Sequence, residues 1–102
     1  MFKMLNNLFG GGEDLSAIIT SETFLVDVRM PSEFAGGSAK GAVNIPLDTV
    51  ASQISKFKNK KNIVVFCRSG NRSGQAKSIL EANGISNVTN GGTWENVAQY
   101  CN

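Results

Sequence analysis

The 102-residue chain contains no histidine. That absence excludes Ser-His-Asp and Cys-His catalysis, histidine-ligated metal sites and an imidazole proton shuttle. An enzyme built on this sequence must use a nucleophile that needs no such base. Cysteine is scarce: Cys67 and Cys101 are too few for a disulfide framework or a cysteine-only zinc site. The Gly-rich stretches lack a Walker lysine at the required spacing, so neither a metal nor an organic cofactor is expected. Charge of one sign is lacking too, since ten Lys+Arg oppose eight Asp+Glu for a net +2. No segment approaches the ~20 apolar residues of a membrane span. Residues Met1 to Phe9 lack the continuous apolar run of a secretory signal. The expectation is a soluble, cytoplasmic protein without a membrane or nucleic-acid partner. The one basic cluster, Lys56, Lys58, Lys60 and Lys61, fits a solvated helix end that complements the helix dipole.

The length allows one modest core and no second. Residues 1–12 read as an N-terminal arm: Met1, Met4, Leu5 and Leu8 share a helical face, and Gly10-Gly11-Gly12 breaks it. Residues 13–102 read as the domain. Asp14 is positioned to cap a helix carrying Leu15, Ile18 and Ile19. Phe24–Val28 and Ile63–Phe66 are short apolar runs of the buried-strand type. Ala42–Ile45 and Asn87–Thr89 are shorter extended pieces, the latter followed by Asn90-Gly91-Gly92. Pro31 opens a turn of helix through Phe34. Asp48 is placed to cap a helix with Val50, Ile54 and Phe57 inward. A further helix runs from Ser73 to Asn83 with Gly84 at C′, and Thr93 caps the last. Strands alternating with helices predict an α/β fold, a small mainly parallel sheet flanked by helices on both faces.

In such sheets the ligand site lies beyond the carboxyl ends of the strands. The only three arginines, Arg29, Arg68 and Arg72, all fall there. Cys67 ends one strand, and Arg68-Ser69-Gly70-Asn71-Arg72 follows at once. A thiol attacks only as the thiolate. A compact loop with Gly70 at its centre can turn backbone N–H groups inward as an anion nest. The next helix aims its positive end at the same place, and Arg72 adds charge. Cys67 is therefore expected to be a low-pKa nucleophile acting on a small anion. Cys101 lies at helical spacing from Trp94, Val97 and Ala98 and reads as packing.

The segments Asp27-Val28-Arg29 with Glu33-Phe34, Gly41–Leu47, Val64–Ser73 and Gly91-Gly92 with Trp94 occur in the order and spacing of single-domain rhodaneses. From about Glu13 to the last helix the chain resembles that family. The resemblance implies a rhodanese-like fold and a thiosulfate sulfurtransferase. Cys67 matches the persulfide-forming nucleophile, and Arg68, Ser69, Gly70, Asn71 and Arg72 match the substrate-facing loop. Asp27 and Arg29 match the segment that supports that loop, and Glu33 matches a structural acidic position that pairs with a cation. The implied partners are a small anionic sulfur donor and a thiol or cyanide acceptor, with a protein acceptor as a further case. The chain departs from the family at Gly37-Ser38-Ala39-Lys40-Gly41-Ala42, where a histidine and an apolar residue are usual.

Two other functions compete. A persulfide carrier or protein-interaction module would keep the fold without turning over a small donor. A cysteine phosphatase or arsenate reductase would need a larger cradle, with five residues between cysteine and arginine. Here four separate Cys67 from Arg72. Two loop cations favour thiosulfate over mercaptopyruvate as donor. Arg72, nearer the helix start, is expected to matter more than Arg68.

Overall fold

Parallel strands need crossovers long enough to return the chain, and helices supply them. The computed structural model describes residues 14–101; the arm expected over 1–12 lies outside them. Strands β1 (Thr23–Asp27), β2 (Val43–Asn44), β3 (Asn62–Cys67) and β4 (Val88–Thr93) form one sheet in the order β2-β1-β3-β4. Each pairing is parallel. The helices are α1 (Pro31–Ala35), α2 (Leu47–Val50), α3 (Asn71–Ala82) and α4 (Trp94–Ala98), with a 3-10 segment over Ala51–Phe57.

Side chains alternate across a strand, so β3 divides the core. Ile63, Val65 and Cys67 face a cluster built with Val50, Phe57, Ala76 and Leu80. Val64 and Phe66 face a second cluster with Leu15, Ala39 and Val97. All five of these β3 residues are fully buried, each apolar one contributing about 1.5–3 kcal/mol. This arrangement leaves Cys67 at the carboxyl end of a central strand, on the α3 side.

Glycines set the two ends of α3. Gly70, at φ 94°, turns the chain into it. At the other end Gly84 has φ 84°. Its N–H bonds the Glu81 carbonyl at 3.1 Å, and the Ile85 N–H bonds the Leu80 carbonyl at 3.0 Å. This is the Schellman pattern that stops a helix.

Three expectations are corrected. Residues 14–19 make a single turn, not a helix. The Ile18 and Ile19 N–H groups both bond the Leu15 carbonyl, and the Asp14 carboxylate accepts from the Ser16 N–H at 2.9 Å. A side chain that bonds its own backbone two residues on competes with helix propagation. Asp48 is not a cap: α2 begins after Pro46, and Asp48 lies in its first turn. That helix tightens into 3-10 geometry after Val50 and kinks at Gln53. Asn90-Gly91-Gly92 belongs to β4. The strand expected to end at Thr89 runs on to Thr93, pairing with β3 through a bulge, Val65 opposing Asn90 and Phe66 opposing Gly92. Gly91, the extra residue, is packed so tightly that a Cβ there would lie 2.6 Å from Val97 Cγ2 and 2.8 Å from Val64 Cγ1.

Candidate active site

The loop from Cys67 to Ser73 folds around the sulfur. Cys67 Sγ accepts from the Gly70 N–H at 3.0 Å and the Ser73 N–H at 3.4 Å, and lies 3.5 Å from Ser73 Oγ. Burial opposes ionisation of this thiol. The Ser73 hydroxyl and the N–H groups of Ser73, Ser69 and Gly70 outweigh it and lower the pKa below that of an ordinary cysteine. The site therefore favours the thiolate without histidine.

The loop is itself tied to β4 by Asn90, which sequence reasoning missed. Asn90 Nδ2 donates to the Gly70 carbonyl at 3.0 Å, while Oδ1 accepts from Ser73 Oγ at 2.7 Å and the Gly92 N–H at 3.0 Å. One amide thus fixes Gly70 and Ser73, two of the residues that bond the sulfur. The only signal was a polar residue beside two glycines, which reads equally as a turn.

The arginines part company. Arg72 Nη1 and Nη2 fork onto Glu33 Oε1 and Oε2 at 2.7 and 3.0 Å. That fork, and the Met30 N–H at 2.9 Å, hold the Glu33 carboxyl at about 2. Arg72 does feel the Cys67 charge, behind the Glu33 hydrogen bond. The charge expected at the loop mouth is there, and it is shared with Glu33. Arg68 is exposed and makes no ion pair with any described residue. Ser69 and Asn71 are exposed beside it.

Asp27 and Arg29 form a buried pair at the end of β1. Arg29 Nε lies 3.0 Å from both carboxylate oxygens, and Nη2 lies 2.7 Å from Oδ2. Arg29 Nη2 also donates to the Gly37 carbonyl at 2.6 Å, and its guanidinium sits 5.2 Å from the Trp94 ring centroid. Ser38 Oγ donates to Asp27 Oδ2 at 2.6 Å. The pair's hydrogen bonds thus anchor the 36–38 loop. Asn44 Nδ2 bonds the carbonyls of Asp27 and Arg29, both at 2.9 Å, which fastens the β1 end to β2.

Cys101 is half-buried, its thiol donating to the Val97 carbonyl at 3.3 Å, and burial raises its pKa. Among the described residues no three His, Cys, Asp or Glu side chains group as metal ligands. No described helix is long and apolar enough to cross a membrane.

Comparison with known proteins places this geometry. Thiosulfate sulfurtransferase PspE of Escherichia coli is 39% identical over 75 residues, 72% of this chain and 72% of that protein. A solved E. coli structure described as a rhodanese with anions superposes with a TM-score of 0.67 at 37% identity, covering 74% of this chain and 92% of that one. The human single-domain sulfurtransferase TSTD1 gives 0.64 at 26% identity over 76% and 82%. The rhodanese-like domain family matches residues 12–94, so the chain belongs to that family.

Proposed function

We propose that the chain is a thiosulfate sulfurtransferase working through a Cys67 persulfide. Its relatives support sulfur transfer as the general activity. The observation that carries the finer reading is the set of donors around Cys67 Sγ, led by the Gly70 N–H at 3.0 Å. The thiolate attacks the outer sulfur of thiosulfate. A Cys67 S–S bond forms as the bond to sulfite breaks, and sulfite leaves with the electron pair. A thiolate, its proton already lost to solvent, or cyanide then attacks the outer sulfur, and the pair returns to Sγ. Neither step requires a proton, which suits a chain without histidine. Gly70 and Ser73 stabilise the charge whenever it resides on sulfur. Arg68, exposed and outside any ion pair among the described residues, draws in the anionic donor, with Ser69 and Asn71 beside it. We place the protein in the cytoplasm, where lone thiols such as Cys67 and Cys101 stay reduced.

The test is thiocyanate formation from thiosulfate and cyanide. Wild type should turn over, and Cys67→Ser should not, because a serine hydroxyl without a base is a poor nucleophile. Equal turnover in the variant would refute the nucleophile. A wild type that accepts sulfur yet turns over no small donor would instead mark a carrier.

A further inference from the structure

We propose that the cavity beside the Cys67 loop is the acceptor subsite, and that it takes a small uncharged aliphatic thiol; this rests on the sulfur-transfer reading above. The cavity has a volume of about 460 Å³, within the range of preformed small-molecule sites. A compact oxyanion such as thiosulfate would fill little of it.

Two wall residues border the segment that holds the sulfur. The Val28 N–H bonds the carbonyl of Phe66, the residue before Cys67, at 3.0 Å. Arg72 directly precedes Ser73, whose N–H bonds Sγ at 3.4 Å. The Leu47 N–H bonds the Val28 carbonyl at 3.0 Å, so this wall is fastened to the sheet. An acceptor held here lies beside the loop that carries the persulfide.

The lining chooses the acceptor. Val28, Met30, Leu47, Ala51 and Ile79 present apolar surface, and Met30 remains 51% exposed. Covering such surface favours an aliphatic ligand. The only cation in the wall, Arg72, is already answered by Glu33, and the exposed carboxylate of Asp48 adds a negative charge. An anionic thiol finds no unpaired cation in that wall. In the transfer, the acceptor thiol first loses its proton to buffer. Its sulfur then attacks the outer persulfide sulfur, a new S–S bond forms, the Cys67 S–S bond breaks, and the electron pair returns to Sγ. No oxidant or reductant is consumed.

The experiment loads the protein with thiosulfate, removes excess donor, verifies the added sulfur by intact mass, and follows its discharge. The acceptors are mercaptoethanol, mercaptobutanol and mercaptobutyrate, with rates compared per thiolate present and cyanide as the size-independent reference. The rate should rise roughly threefold per added methylene from mercaptoethanol to mercaptobutanol. Mercaptobutyrate should be at least about fivefold slower than mercaptobutanol, from repulsion by Asp48. Ala51→Leu, an exposed position whose larger side chain fills the cavity, should lower the mercaptobutanol-to-cyanide rate ratio by a similar factor. Chain-length independence, equal rates for the butyrate, or an unchanged ratio in Ala51→Leu would overturn the subsite. A chain that takes up no sulfur would overturn the reading beneath, and the subsite with it.

Discussion

Arg72 and Glu33 meet fork to fork, at 2.7 and 3.0 Å, across the mouth of the Cys67 loop. The pair ties the start of α3 to α1, because Glu33 also accepts the Met30 N–H at 2.9 Å. Arg72 is therefore a strut as well as a charge. Arg68 is the loop cation with no carboxylate partner among the described residues. On this geometry Arg68 is expected to matter more to the donor than Arg72, the opposite of the order expected from sequence. Arg68→Ala should raise the thiosulfate KM about tenfold, the loss of one charge-assisted contact. Arg72→Ala should raise it less and lower the melting temperature more. Steady-state kinetics and thermal denaturation of both variants check this.

The same pair predicts a pH signature. Its carboxyl is lowered from 4.5 to about 2 in the folded chain. A depressed carboxyl stabilises the fold fully above its unfolded pKa and loses that contribution as pH falls through its folded pKa. The urea midpoint of wild type should therefore exceed that of Glu33→Gln at pH 7. The gap should close between about pH 4.5 and 2. A gap independent of pH would show that the ion pair does not act through charge.

Cys67 should ionise more readily than a free thiol, since Ser73 and the loop N–H groups outweigh its burial. The pH midpoint of its alkylation should lie below that of N-acetylcysteine in the same buffer. Ser73→Ala, which removes the hydroxyl 3.5 Å from Sγ, should move the midpoint upward. Cys101→Ser should leave it unchanged.

The two sides of the sheet were unequally legible in the sequence. Val64–Phe66 and the α3 pattern ending at Gly84 were plain, because apolar run, period and glycine stop agree. The α4 cap was plain too: Thr93 Oγ1 accepts the Asn96 N–H at 3.0 Å. Leu15, Ile18 and Ile19 had helical spacing but too few residues to sustain a helix, and tertiary packing held them as one turn. The Cys67 loop could be placed from its residues alone. Its tether could not, because Asn90 reaches Gly70 across 20 positions. The commitment of Arg72 to Glu33, 39 positions away, was hidden for the same reason. Short-range spacing does not report side-chain partners brought together by the sheet.

Asp27 is completely buried, and Arg29 nearly so. Arg29→Ala leaves that carboxylate in the interior with Ser38 and the backbone as its remaining donors. The expected loss is about 3–5 kcal/mol, read from urea unfolding at pH 7. A loss below about 1 kcal/mol, the range of exposed pairs, would mean water reaches the site.

Gly91→Ala should be destabilising despite the small size of the change. Its Cβ would meet Val97 Cγ2 at 2.6 Å and Val64 Cγ1 at 2.8 Å, both branched and confined. Overpacking of this kind costs about 1–3 kcal/mol. Gly41→Ala is a contrasting control: its Cβ meets nothing within 4 Å, so its penalty would come from the φ of 86° alone. Denaturant titration of Gly91→Ala, with Val97→Ala added to relieve the contact, separates steric cost from backbone cost. Partial rescue by the second substitution is expected.

The central claim is that Cys67 takes and surrenders a sulfur atom, and intact mass tests it most directly. After thiosulfate the protein should gain the mass of one sulfur, mapped by digestion to the peptide containing Cys67. It should lose that mass on adding cyanide, and Cys67→Ser should show neither change. An unmodified wild type after excess thiosulfate, or a sulfur mapped to Cys101, would contradict the account.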